Sequence, residues 1–349
     1  KQFYFLIILL LLNGLFESFS LVSIIPFLTI FVSQDKIYDI PFIGNLSNLF
    51  GISNISDLFL LITILFCLFF FLSTGLRLFN IWYILRLIAN INLDFSDLVF
   101  NRNIYQSYSS YLTKSSASKI ALLSEKVPAA TSSLNAILTL VSNLILVFAI
   151  FISLLFYKWQ ILLICITFLY IYYATIYKLV KKNLYDNGKI IAKKLVNRVG
   201  IIQESFLGFR DVIINGTQKI YGNLFIQNES SIRLLSAISD FYMQFPRLLL
   251  EGLSFITIVI ICFIFSSNNP NNVSLIPILG SYIYAFQRLL PLIQQIYSGW
   301  AQIQYKYANI IDLLSELEKT ENQQLKIESK KFFIFRNNIK FRNISFSYQ

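Results

Sequence analysis

Ile339-Lys340-Phe341-Arg342-Asn343-Ile344-Ser345-Phe346-Ser347-Tyr348 alternates apolar and polar side chains. A period of two marks a strand with one buried face. Its position makes it decisive, because six apolar runs precede it. They are approximately Phe3–Val32, Leu58–Leu76, Leu134–Phe156, Ile161–Tyr177, Phe241–Ser266 and Val273–Tyr297. Runs of about 20 apolar residues suffice to cross a hydrocarbon core about 30 Å thick. The expectation is an all-α polytopic membrane protein with six transmembrane helices, ending in the first strand of a soluble domain. The chain opens on Lys1 and its only Met is Met243, so the sequence reads as part of a longer protein.

Composition agrees. Hydrophobic residues make up 56% of the 349, charged residues 13%, and His is absent. A soluble domain carries charge at about 25% of its positions. The net charge of +11 is explained by where it sits. With the first span running outward, residues 33–57, 157–160 and 267–272 lie outside and hold only Lys36 and Lys158. The inner segments 77–133, 178–240 and 288–349 hold six, ten and nine Lys or Arg. Cationic residues stay on the cytoplasmic side. The expected placement is therefore multi-pass in the cytoplasmic (inner) membrane with the C-terminus inside, and the basicity is no nucleic-acid signal. The first apolar run is too long for a signal peptide and has no small-residue cleavage site. Cys67, Cys165 and Cys262 each sit inside an apolar run. Their dispersal, with no His, argues against disulfides and against a metal site.

The inner connections look helical. Ile190, Ile191, Leu195, Val199, Ile202, Phe206 and Leu207 recur at spacings of three and four, the mark of an amphipathic helix. Leu85–Val99 and Ile120–Val127 continue in the same manner, so the spans should extend into the cytoplasm and turn near Asn101–Tyr111 and Gly208–Gly216. Ile40–Phe50 has one apolar helical face, fitting either an interfacial helix or a cap on the bundle. The expected domains are a transmembrane domain at 1–314, a polar linker at 315–332 and the beginning of a soluble domain at 333–349.

Three places carry a resemblance to a family. They are the strand Ile339–Tyr348, the stretch Gln203-Glu204-Ser205-Phe206-Leu207-Gly208-Phe209-Arg210-Asp211-Val212, and the layout of long inner helices with short outer turns. Together they resemble the ABC exporters, whose half-transporters join six membrane helices to a nucleotide-binding domain. The resemblance implies that Tyr348 stacks on adenine, where an aromatic face suits a purine. It implies that Gly208, Phe209, Arg210 and Asp211 belong to a coupling helix docking on the partner subunit's nucleotide-binding domain, hence a homodimer. ATP and Mg²⁺ serve the full-length protein. The phosphate-binding G-x-x-x-x-G-K-[ST] loop does not occur in these 349 residues, so they hold no catalytic residue.

Within that family the chain is most similar to flippases of lipid-linked oligosaccharides. The shared features are Phe16-Glu17-Ser18 with Pro26-Phe27, the segment Ile40–Phe50, Phe245-Pro246-Arg247-Leu248-Leu249-Leu250-Glu251-Gly252 and Tyr284-Ala285-Phe286-Gln287-Arg288-Leu289-Leu290-Pro291. An ionisable residue within a span costs about 2.5–3.5 kcal/mol on insertion scales. Arg77, Arg247 and Arg288 stand roughly 22–30 Å below the outer surface at about 1.5 Å per residue. Arg77 and Arg247 could instead snorkel to the inner interface, and Arg247 has Glu251 four residues on. The resemblance implies that all three arginines bind the pyrophosphate of a polyprenyl-linked glycan, a task suited to the planar guanidinium fork. Glu17 reads as a structural partner for one of them. Other readings stay open: an ABC exporter of another lipid, peptide or drug, a non-transporting membrane scaffold, and a polytopic glycosyltransferase, for which no convincing carboxylate pair is present.

Overall fold

The computed structural model describes residues 2–32, 55–106, 108, 112, 115–155, 159–268, 275–321 and 342–345. The described residues are almost entirely helical, with α1 (Gln2–Val32), α2 (Ile55–Ile104), α3 (Ser116–Ala121), α4 (Val127–Leu155), α5 (Trp159–Leu207), α6 (Phe209–Ile214), α7 (Gln218–Asn268) and α8 (Leu275–Glu321). A π-helical turn at Leu122–Lys126 joins α3 to α4. Among the described residues, three stretches are long and apolar enough to cross a membrane: Gln2–Ile24, Asp57–Ile104 and Ser116–Ser153. They mark a membrane protein. Leu and Phe side chains cover α1 on nearly every side, as a helix surrounded by lipid and protein requires.

Helices α2, α5, α7 and α8 have 50, 49, 51 and 47 residues. At about 1.5 Å per residue each is roughly 70–75 Å long, more than twice a hydrocarbon core. The central contact is α4 against α8, where Leu146, Val147 and Ile150 meet Ala285, Leu289 and Leu292. Helices α1 and α2 pair with each other and pack on α4, while α5 and α7 pair and pack on α8. Gly188 lets α5 approach α8 closely, since a Cβ there would land on the Tyr305 carbonyl.

Pro246 lies inside α7. It lacks the N–H that would bond the Tyr242 carbonyl four residues earlier. The Tyr297 hydroxyl of α8 donates to that carbonyl at 3.0 Å, and the Tyr172 hydroxyl of α5 donates to the Pro246 carbonyl at 2.7 Å. The hydroxyl of a neighbouring helix thus satisfies the Tyr242 carbonyl that the proline frees.

Two sequence expectations change. The amphipathic reading of Ile120–Val127 as ordinary α-helix misses the π-helical turn. That turn aims Glu125 at Arg198 of α5, 2.6 Å away, and Lys126 at Asp312 of α8, 2.8 Å away. Residues 315–321, expected to open the polar linker, continue α8 to Glu321. Glu, Leu and Lys are strong helix formers, Leu317 packs on the cluster of Val99, Leu122, Val127 and Leu313, and Arg102 donates to the Leu317 carbonyl at 2.7 Å. Of the expected terminal strand only 342–345 are described. These four form no strand, and Asn343 stands at φ 48°. The Ile40–Phe50 segment, the rest of the strand and Tyr348 lie outside the described residues.

Candidate functional site

Asn13, Glu17 and Ser20 sit four and three residues apart on α1, so one helical face carries all three. Each is almost completely buried. Glu17 meets Ser73 of α2 and Arg288 of α8. The Arg288 Nε donates to Glu17 Oε1, its Nη2 donates to Oε2 at 2.7 Å, and Ser73 donates to Oε2 at 2.5 Å. Nη2 also reaches Ser73 Oγ at 2.9 Å, and Nη1 reaches the Tyr284 hydroxyl at 3.0 Å. The guanidinium carbon lies 5.2 Å from the Phe70 ring centroid, within cation–π range. Four of the five N–H groups of Arg288 thus have a partner. Arg77, one turn below Ser73 on α2, stands within electrostatic reach of Glu17.

The side chains of Glu17 and Arg288 are 1% and 13% exposed. A buried charge persists only with a partner and with its remaining hydrogen bonds made. Here one bidentate pair, one hydroxyl and one phenol meet that requirement and tie α1, α2 and α8 together. The expected pairing of Glu17 with a span arginine is present. Arg288 and Arg77 gather around Glu17, whereas Arg247, exposed on α7, has no place among the described contacts of this cluster.

The second feature is the turn between α5 and α7. The Gly208 N–H still bonds the Glu204 carbonyl at 3.0 Å, and a Cβ at Gly208 would come within 2.9 Å of that oxygen. Helix α6 then carries Phe209, Arg210 and Asp211 exposed, while Val212 is buried. It ends in a glycine-capped turn. Thr217 N–H bonds the Val212 carbonyl at 3.0 Å and Gly216 N–H bonds Ile213 at 3.2 Å, with Gly216 at φ +63°. These bonds define a Schellman motif, whose C′ position favours glycine. The turn exposes Phe206, Leu207, Phe209, Ile213 and Ile214, with Leu207 at 85%. Large apolar side chains thus stand exposed at the end of the α5–α7 hairpin.

Between these two features lies a polar layer. Arg198 of α5 bonds Glu125 and reaches Glu229 of α7 at 3.6 Å, which also holds Arg233 at 2.8 Å. Lys306 of α8 donates to the Ser132 hydroxyl at 2.6 Å. Burial pushes its ammonium below the ordinary lysine range, with Asp240 opposing. Burial also raises Tyr305, against a bond with Ser236 that lowers it.

Sequence reasoning did not find Ser73 or the polar role of Tyr284. Tyr284 stands four residues before Arg288, and that spacing was the available signal, whereas Ser73 meets Glu17 and Arg288 across 56 and 215 positions. Among the described residues no group of three potential metal ligands gathers. No known protein-family model matches the chain.

Proposed function

We propose that this chain is the membrane part of an ABC exporter with six spans and a cytoplasmic C-terminus, acting as a homodimer. The observation that carries the reading is the hairpin of α5, α6 and α7. Two helices of 49 and 51 residues are too long for a bilayer alone, and they end in a rigidly capped turn with exposed apolar side chains. That surface fits the docking face of a nucleotide-binding domain. Closure of such domains would move the hairpin, and the ionic layer at Glu125, Arg198 and Glu229 would carry the motion to α3 and α4.

The favoured cargo is a polyprenyl-pyrophosphate-linked oligosaccharide. Arg288 supports it, because a guanidinium kept inside an apolar bundle suits an anionic headgroup. Glu17 occupies the edge of Arg288 that a pyrophosphate oxygen would take, so cargo and carboxylate compete. Arg77 stands beside the pair, and Arg247, outside the cluster in this conformation, would join the proposed site when the helices rearrange during transport. ATP and Mg²⁺ belong to the domain beginning near Phe333.

The test is cargo-stimulated ATP hydrolysis by the protein together with its nucleotide-binding domain. Leu207→Asp and Phe209→Asp are expected to abolish stimulation while basal hydrolysis persists. Full stimulation in both variants would contradict the docking role.

A further inference from the structure

Two hollows run end to end along the face where α5 meets α8. The first, about 370 Å³, is walled by apolar and aromatic side chains of α4, α5 and α8, among them Val147, Leu169, Tyr173, Ile296 and Trp300. The second, about 700 Å³, is walled by Lys178, Lys181, Lys182, Tyr185, Gln304 and Tyr307. Tyr177 lines both. Its ring lies 4.7 Å from that of Trp300 on the apolar side. On the basic side its hydroxyl accepts a bond from Lys181 Nζ at 2.8 Å, with the ammonium 5.1 Å from its ring centroid. One tyrosine thus joins an apolar trough to a cationic one.

The lysines are exposed, but they line a groove and not a flat helix face. Lys178, Lys181, Lys182 and Tyr185 recur at helical spacing on one face of α5, and that face is concave because α8 supplies the opposite wall. Depth adds to this. From Trp159, where α5 begins, to Lys178 is about 19 residues, or roughly 28 Å. That distance matches a hydrocarbon core of about 30 Å. The apolar trough therefore lies at acyl-chain level and the lysines at inner-leaflet headgroup level, where cationic side chains attract anionic lipid. Both volumes are within the range of small-molecule sites, about 300–1,000 Å³.

We propose that this groove binds an anionic phospholipid of the inner leaflet. Its phosphate lies on Lys178, Lys181 and Lys182, and one acyl chain lies in the trough between Tyr177 and Val147. The proposal rests on the reading that α5 and α8 cross the membrane. The site is separate from the Glu17–Arg288 cluster and shares no residue with it.

The test uses Trp300 as a local reporter. Trp82→Phe and Trp159→Phe leave it the only tryptophan, and the protein is placed in phosphatidylcholine vesicles. Phosphatidylglycerol or phosphatidylcholine, brominated on the acyl chain, is then added at equal mole fraction. The brominated phosphatidylglycerol should quench Trp300 with an apparent affinity about fivefold or more above that of brominated phosphatidylcholine. Lys178→Gln, Lys181→Gln and Lys182→Gln together should remove that preference while leaving quenching by phosphatidylcholine. Equal quenching by both lipids, or a preference that survives the triple substitution, would overturn the proposal. A companion variant that keeps Trp82 alone (Trp159→Phe with Trp300→Phe) serves as control: quenching of Trp82 there without quenching of Trp300 in the first variant would also overturn the proposal, showing a groove covered by protein while the spans stand. Absence of quenching in both single-tryptophan variants would remove the membrane-crossing reading as well.

Discussion

Arg288 holds Glu17 by two parallel hydrogen bonds across 271 positions of sequence. Nothing else among the described contacts joins the first and last long helices through buried charge. Removing one partner strands the other, a change that costs about 3–5 kcal/mol in buried pairs. Glu17→Ala and Arg288→Ala should each lower the thermal unfolding midpoint in detergent sharply. Glu17→Gln with Arg288→Met should recover most of the loss. Single variants as stable as the parent would show that the pair is open in solution.

Gly188 and Gly222 make opposite predictions. Gly188→Ala drives a methyl into the Tyr305 carbonyl, and overpacking of this kind costs about 1–3 kcal/mol. Gly222, exposed in α7, has nothing within 4 Å of a Cβ, and replacing an unhindered helical glycine with alanine gains about 0.5–1 kcal/mol. Thermal unfolding of both variants checks the close approach of α5 and α8. A harmless Gly188→Ala would contradict it.

Tyr297→Phe deletes the hydroxyl that bonds the Tyr242 carbonyl freed by Pro246. Tyr297 is 5% exposed, so the orphaned carbonyl should cost about 1–3 kcal/mol. Restoring the backbone donor with Pro246→Ala in the Tyr297→Phe background should return part of that loss. No difference between the two backgrounds would separate Tyr297 from the proline.

Lys306 predicts a pH dependence. Its folded-state pKa lies below the ordinary 10.5, so the unfolded chain binds this proton more readily. Stability contributed by the group therefore rises as pH climbs from the folded value toward 10.5. Lys306→Met should raise the unfolding midpoint at neutral pH, with the gain shrinking as the unfolded value is approached. Ser132 keeps its 2.8 Å bond to the Ala129 carbonyl in that variant. A gain that stays constant over this window would contradict a burial penalty.

Apolar length and cationic asymmetry made the helical membrane character legible, since both are summed over many residues and tolerate local error. The turn between α5 and α7 was legible because Gly208 and Gly216 interrupt a clear 3.6-residue period. Other features were not. The π-helical turn depends on where Glu125 and Lys126 find partners, and those partners lie 73 and 186 positions away. The extension of α8 to Glu321 depends on Leu317 finding a hydrophobic pocket and on Arg102 reaching its carbonyl. The arginines stood at comparable depth, with Arg288 the hardest to bring to the interface, yet which of them meets Glu17 directly is decided by how α1, α2 and α8 pack. The joined hollows beside Tyr177 arise from two helices at once and leave no trace in either alone.

The most direct test of the account is ATP-driven translocation of a fluorescent polyprenyl-pyrophosphate oligosaccharide in proteoliposomes. It would use the protein with its nucleotide-binding domain and variants whose folding is first verified. Arg77→Ala, Arg247→Ala and the stabilised Glu17→Gln/Arg288→Met pair should each hydrolyse ATP yet move the lipid at least about tenfold more slowly, the equivalent of about 1.4 kcal/mol in transition-state binding. A parent protein that hydrolyses ATP and leaves the lipid in place, or variants that translocate at the parental rate, would contradict an arginine-lined pyrophosphate site.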